Sequence, residues 1–281
     1  MVVEKAYAKL NLSLNILEKR PDGFHNLESI MVPVCDLFDI LEFSCREDDD
    51  FVIEGCEIKD NIVHKAAKMF QEKYHTKGAN IKLTKRIPIE AGLGGGSADA
   101  SATLRGLNKL FELDLTLEDL EPLAASLGSD TVFCLYNKAS VCRGRGEILE
   151  FIDFDFSFNV WILKPAFGLL TKEVFSKYKK VDTLIKTNEI LICLRNSNLY
   201  ELDKNITNDL YLPATMVNPE IDNIIQKLKA NNISAHMSGS GSTIYFLDNL
   251  STNYKKVLDD SKIECVYLQK HLVKCTVNDC L

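Results

Sequence analysis

The sequence predicts an α+β fold, and three observations carry that prediction. Residues Ala6 to Ile16 alternate, with Ala6, Ala8, Leu10, Leu12, Leu14 and Ile16 on one face and Tyr7, Lys9, Asn11, Ser13 and Asn15 on the other. That is the period of a half-buried strand. The segment "TLEDLEPLAASLG" has helical periodicity between a threonine cap and a glycine stop. Strands and helices also follow one another in irregular order in both halves, the arrangement of α+β or mixed α/β rather than of one element type.

In chain order, the Ala6–Ile16 strand leads to "KRPDGFHNL", a turn punctuated by Pro21, Asp22 and Gly23 with Phe24 and His25 at its tip. A strand is expected near Asp36–Phe43. A helix follows over Asn61–Lys73, with Ile62, Ala66, Met69 and Phe70 on one face, and a short strand at Ile81–Leu83. Thr116 caps the next well-marked helix, Asp119 is its third residue and Gly128 its stop. Asp130 then opens an apolar run expected to be a strand. A carboxylate there is more often structural than catalytic.

The "ASVCRGRGEIL" segment reads as a strand and a glycine turn whose Arg143 and Arg145 are expected to be solvated, with phosphate contact as the alternative. The texture changes around Phe151–Phe158, which sets a domain boundary: residues 1–155 and 156–281. Beyond it come a strand over Asn159–Lys164, a helix from Lys172 and a helix from Asn218 to Leu228 with Pro219 at its start. The glycine turn in "HMSGSGSTIYFL", a helix near Tyr254–Asp260 and a strand near Glu264–Leu268 complete the chain.

One stretch asks for more than architecture. "EAGLGGGSADASATLRGLNKL" places Gly92, Gly94, Gly95 and Gly96 within five positions and then becomes helical at once. Ser97 is placed to cap that helix and Asp99 to sit in its first turn. Glycine permits positive φ and close approach of a ligand to the main chain, and a helix start offers free N–H groups to an anion. A phosphate is the expected guest, with a structural turn as the alternative. No lysine follows the glycines as in a Walker A loop, and Ser97 stands where a dinucleotide-binding pattern needs glycine.

Composition narrows the classes. The chain has 281 residues, 46% of them hydrophobic and 26% charged, as in an ordinary globular protein long enough for two domains. A net charge of −7 argues against a general nucleic-acid binder but not against a nucleotide site. No apolar run suits a membrane span, and the N-terminus lacks the apolar core of a signal peptide. Nine cysteines without metal-ligand spacing point to buried thiols in a reducing cytoplasm.

Three segments then stand in order: "AKLNLSLNI", "PIEAGLGGGSADA" and "MSGSGSTIYFL". This order resembles the three signature motifs of the GHMP kinase superfamily, which includes galactokinase, homoserine kinase, mevalonate kinase and phosphomevalonate kinase. "RPDGFHNL", the "LGSD" before Thr131, "TKEVF" and "NDL" look most similar to the branch that acts on 4-diphosphocytidyl-2-C-methyl-D-erythritol. The resemblance implies a two-lobed α+β fold, its N-terminal domain like domain 2 of ribosomal protein S5 and its C-terminal domain ferredoxin-like. It also implies transfer of the γ-phosphate of ATP, with Mg²⁺, to the 2-hydroxyl of that small molecule, in the non-mevalonate route to isoprenoids.

Position by position, the resemblance makes Lys9 and Asp130 the catalytic pair. It gives ATP the loop residues Gly92, Leu93, Gly94, Gly95, Gly96, Ser97 and Ala98, together with Pro88, Asn61, Ile62 and Lys85. Ser97 would be a ligand of Mg²⁺. The cytosine would lie between Phe24 and Phe175 with His25 reading its edge, while Asn11 and Thr171 touch the rest of the substrate. Phe24 stands where the branch commonly has tyrosine, Ala98 where it has serine and Val132 where it has proline. A homoserine- or mevalonate-type kinase, or a nucleotide-binding sensor without transfer, is the alternative. Neither kinase would need the aromatic clamp.

Overall fold

Two long N-terminal strands form the spine on which the rest is hung. The computed structural model describes residues 1–55, 61–180, 184–248 and 254–277. The first part holds β1 (Val2–Lys19), β2 (His25–Cys45), β3 (Val52–Glu54), α1 (Ile62–Tyr74), β4 (Ala79–Thr84), α2 (Gly95–Leu110), α3 (Leu117–Leu127), α4 (Thr131–Tyr136), β5 (Ser140–Arg143) and β6 (Ile148–Phe151). The second holds β7 (Phe158–Lys164), α5 (Thr171–Lys177), α6 (Thr187–Arg195), α7 (Leu199–Asn205), β8 (Thr207–Asn208), α8 (Tyr211–Val217), α9 (Glu220–Ala230), β9 (His236–Met237), β10 (Ile244–Leu247), α10 (Tyr254–Asp260) and β11 (Tyr267–Val273).

The strands run in the order β3-β4-β2-β11-β7-β10-β9, with β1 beside β2 and β8, and β5 between β2 and β6. β1 and β2 pair antiparallel along nearly their whole lengths, with register shifts at Tyr7/Ala8 and Asn11/Ser13. β2 also pairs with β4, β5 and, through Val34, with β11. Sequence periodicity captured only its Asp36–Phe43 portion, because the first half of β2 carries no clean alternation.

β1 is not half-buried as its alternation suggested. Every residue from Ala6 to Ile16 is buried, including the polar row of Lys9, Asn11, Ser13 and Asn15. One face joins the main core with Phe43, Phe70 and Leu104, while Leu14 and Ile16 belong to a cluster with Leu169, Val174 and Leu210 from the second half. Burying each such side chain is worth about 1.5–3 kcal/mol. β1 thus takes part in the cores of both halves, and its polar row lies at their junction.

Caps behave as local chemistry dictates. Asn61 caps α1 by accepting from the Val63 N–H, and Thr116 and Asp119 form a reciprocal capping box on α3. Pro219 stands just before α9 and not at its first helical position, since the helix runs Glu220–Ala230 rather than Asn218–Leu228, and α10 spans the expected residues.

Elsewhere the structure corrects the reading. The run after Asp130 is the helix α4, closed by a left-handed Asn137. A short apolar run cannot be assigned by periodicity, and packing on α2 and α3 decides it. α2 begins at Gly95 with Gly94 as its cap, so Ser97 lies inside the helix and Asp99 beyond its first turn. α6, α7 and α8 were not anticipated, and the last strand lies at Tyr267–Val273 rather than Glu264–Leu268. Among the described residues, no helix is long and apolar enough to cross a membrane.

Candidate active site

A cleft of about 600 Å³ opens where the polar row of β1, the glycine loop, the start of α4 and the second glycine turn converge. Two glycines make this convergence possible. Gly92 has φ +71°, and a Cβ there would stand 2.2 Å from the Ser238 carbonyl oxygen. Gly94 has φ +72°, and a Cβ would meet Lys9 Cγ at 2.9 Å. Side chains at these positions would push the two glycine turns apart and displace Lys9. The turns are also stitched together: Ser238 Oγ donates to Gly92 O at 3.1 Å and Thr243 N to Ala91 O at 3.2 Å. Lys9 N donates to Leu93 O at 3.0 Å, fastening the loop to β1.

At the centre, Lys9 Nζ lies 3.2 Å from Asp130 Oδ2 and donates to Asn11 Oδ1 at 2.6 Å. Asn11 in turn donates to Ser29 Oγ at 2.8 Å. Both polar ends of Asn11 are therefore engaged within the protein, and it orients Lys9 as well as lining the cleft. A buried ammonium with these partners is held in one place, so its charge is directed into the cleft without reorganisation.

The nucleotide-side residues come together as well. Pro88, Gly92–Ser97, Asn61, Ile62 and Lys85 all line the cleft. Gly96 is the roomy member, since a Cβ there would meet only Ile62 Cγ2, at 3.9 Å. Ala98 is the exception. It is buried in the core and its N–H donates to Gly94 O at 2.9 Å, so that group is spent inside α2. Two polar atoms in the lining are buried without partners among the described residues: Asn61 Nδ2 and Asp99 Oδ1. The first is an amide donor and the second a carboxyl oxygen, and buried groups of this kind are costly unless a guest satisfies them.

Lys85 is held between Asp39, at 2.5 Å, and Asp99, at 2.7 Å. Burial pulls its ammonium down, but the carboxylates of Asp99 and Asp39 outweigh that and raise it. Burial raises the Asp99 carboxyl to about 7; Lys85 opposes the rise and Asp39 adds to it. One cation cannot fully neutralise two buried carboxylates, so the proton stays on Asp99 up to that range.

On the acceptor side Thr171 and Phe175 line the cleft, and Thr171 Oγ1 shares a 2.9 Å hydrogen bond with Ser240 Oγ. His25 stacks on Phe175 with ring centroids 5.8 Å apart, and burial, helped by Lys19, lowers its imidazole below the usual 6.5. Phe24 is 51% exposed beyond the cleft lining, and the Arg145 guanidinium covers its ring at 5.1 Å. Arg145 lines the cleft, a correction to the solvated position expected from sequence. Arg143 instead joins Glu28 and Glu150.

Sequence reasoning missed Asp39, Ser29 and the part Asp99 plays in holding Lys85, and ranked Arg145 as solvated ahead of a phosphate contact. These residues are brought to the site by contacts between distant segments, and no local pattern marks them. Among the described residues no group of three His, Cys, Asp or Glu side chains is placed to hold a metal ion.

Known proteins resemble this chain in sequence and fold. The GHMP kinases N terminal domain model matches residues 61–138 and the GHMP kinases C terminal model residues 190–257. A Staphylococcus aureus protein provisionally named 4-diphosphocytidyl-2-C-methyl-D-erythritol kinase is 39% identical over 267 residues, covering 92% of this chain and 94% of its own. A solved 4-(cytidine 5'-diphospho)-2C-methyl-D-erythritol kinase matches with a TM-score of 0.80 at 26% identity, covering 97% of this chain and 99% of that one. Homoserine kinase from Cytophaga hutchinsonii shares the fold at a TM-score of 0.71 and 16% identity, covering 98% of this chain and 95% of its own. With both domain models matched and a relative aligned along almost the whole length, this chain belongs to the GHMP kinase family.

Proposed function

We propose that the protein transfers the γ-phosphoryl group of ATP to the 2-hydroxyl of 4-diphosphocytidyl-2-C-methyl-D-erythritol, within the non-mevalonate route to isoprenoids. The observation that carries the transfer is the Lys9–Asp130 pair, 3.2 Å apart, beside a glycine loop at a helix start. The choice of acceptor rests on the names of the relatives and on the aromatic groups at Phe24, His25 and Phe175.

In this reading the triphosphate lies against the N–H groups that open α2, where the helix dipole favours negative charge. Asn61 supplies an amide donor and Asp99 a carboxyl oxygen for the nucleotide's base or sugar. Phosphoryl transfer runs through a loose transition state that asks mainly for positioning and charge stabilisation. The acceptor oxygen attacks the γ-phosphorus as its bond to the β–γ bridging oxygen breaks. Asp130 aligns the hydroxyl and takes its proton late, while Lys9 offsets charge on the transferring group. Mg²⁺, brought with ATP, would neutralise phosphate charge, with Ser97 as the protein's candidate ligand. His25, neutral near pH 7, offers both a donor and an acceptor to the cytosine edge. The division at residue 155 and a cytoplasmic location belong to the same proposal.

The test is ADP formation from ATP with Mg²⁺ in the presence of the cytidylyl acceptor, homoserine or mevalonate. Turnover confined to the first supports the proposal in full. Turnover on another alcohol overturns the acceptor, and ATP binding without turnover on any of them overturns the enzyme.

A further inference from the structure

Three cations line the cleft, and they are not equally neutralised. Lys9 has Asp130 at 3.2 Å and Lys85 has two carboxylates within 2.7 Å. Arg145 has its closest carboxylate among the described residues, Glu147, at 3.6 Å, and a single carbonyl acceptor, Ala125 O, at 3.3 Å. Its positive charge is the least spent of the three.

The turn that carries Arg145 is held at both ends. Leu27 N donates to Gly144 O at 2.8 Å, just past the Phe24–His25 tip. A Cβ on Gly146 would stand 3.0 Å from Ser129 O and 3.7 Å from Asp130 Oδ1, so the turn packs closely on the segment bearing the catalytic carboxylate. Arg145 thus stands between an aromatic ring, with its guanidinium 5.1 Å from the Phe24 centroid, and the reacting end of the cleft. In a cytidine-diphosphate-linked alcohol, ribose and then the diphosphate join the base to the reacting end, and the diphosphate is the anionic part of that link.

The geometry points to Arg145 as a substrate-binding residue that takes the diphosphate bridge of the acceptor while its cation–π contact sets the Phe24 ring for the base. This rests on the acceptor proposed above. A guanidinium suits both tasks: its planar fork pairs with phosphate oxygens and its face lies on an aromatic ring. Glu147 Oε2 accepts from Arg145 N at 2.6 Å, fixing the backbone of the turn, while its other oxygen stays at looser range from the guanidinium. The side chain is placed without its charge being consumed.

The experiment compares wild type, Arg145→Gln, Arg145→Lys and Glu147→Gln in acceptor turnover, with cytidine and cytidine diphosphate as inhibitors competing against the acceptor. Arg145→Gln is expected to raise the acceptor KM about 10- to 100-fold and leave the ATP KM within about two-fold. It should erase a like part of the preference for cytidine diphosphate over cytidine, and Arg145→Lys should recover some of it. Glu147→Gln, which removes the nearby countercharge but keeps an acceptor for Arg145 N, should tighten cytidine diphosphate about two- to five-fold. An unchanged diphosphate preference in Arg145→Gln, or weaker cytidine diphosphate binding in Glu147→Gln, overturns the assignment alone. Wild type inert towards the cytidylyl acceptor overturns the proposed function and this assignment together.

Discussion

Lys9 and Asp130 meet at 3.2 Å, with the lysine side chain 4% exposed and the aspartate 27% exposed. The pair is asymmetric: the cation is buried and held by Asn11, whereas the carboxylate keeps access to the cleft where an acceptor hydroxyl would lie. That asymmetry matches an electrostatic anchor beside a proton acceptor.

Asp130→Asn should lower kcat by about 10²- to 10⁴-fold while acceptor binding changes little, since the amide keeps the shape but cannot take the proton. Lys9 retains Asn11 as its acceptor, so the variant should remain folded. Single-turnover kinetics alongside equilibrium binding would separate the effects. Equal losses in binding and turnover would make Asp130 an anchor only.

Gly94→Ala tests the loop. With φ +72° and Lys9 Cγ only 2.9 Å from the new Cβ, the change should cost about 1–2 kcal/mol from the left-handed backbone alone and displace Lys9. A fall in melting temperature with a loss of turnover is expected. Gly96→Ala, in open space, should melt near wild type while weakening ATP, because its Cβ competes only with the guest. Thermal melts and the ATP KM of both variants check this.

Phe24→Ala removes an exposed ring, so stability should hold. If the ring carries the base, the acceptor KM should rise about 5- to 150-fold, the equivalent of 1–3 kcal/mol of stacking. Its ATP KM should not move. A variant indistinguishable from wild type towards the acceptor would remove Phe24 from the clamp.

The Asp99 carboxyl, raised from 3.8 to about 7 mainly by burial, makes a signed prediction about pH. Between those values the folded state binds this proton and the unfolded chain does not. The group's contribution to stability therefore falls as pH rises through that window and is flat above it. Asp99→Asn, which cannot ionise, should gain on wild type in melting temperature as pH rises from about 4 to about 7 and hold that gain above it. A parallel pH course for the two proteins would contradict the assignment.

What the sequence by itself determined is what neighbouring residues decide among themselves. The Thr116–Asp119 box, the Asn61 cap, the Pro219 that precedes α9 and the alternation of β1 each depend on groups a few positions apart. The motif residues Lys9, Gly92–Ser97 and Asp130 were legible by type and order as well. Tertiary structure decided the rest. The apolar run after Asp130 became α4 because α2 and α3 offered it a helical seat, and in the polar row of β1 Lys9 is tied to the glycine loop while Ser13 pairs with β8. Asp39 reaches Lys85 from 46 positions away, and Arg145 meets Phe24 from a turn that local signals leave in solvent. Such pairings depend on how β2 and its partners are assembled, because an ion pair or a stacked ring is set by distance in space, on which separation along the chain places almost no constraint.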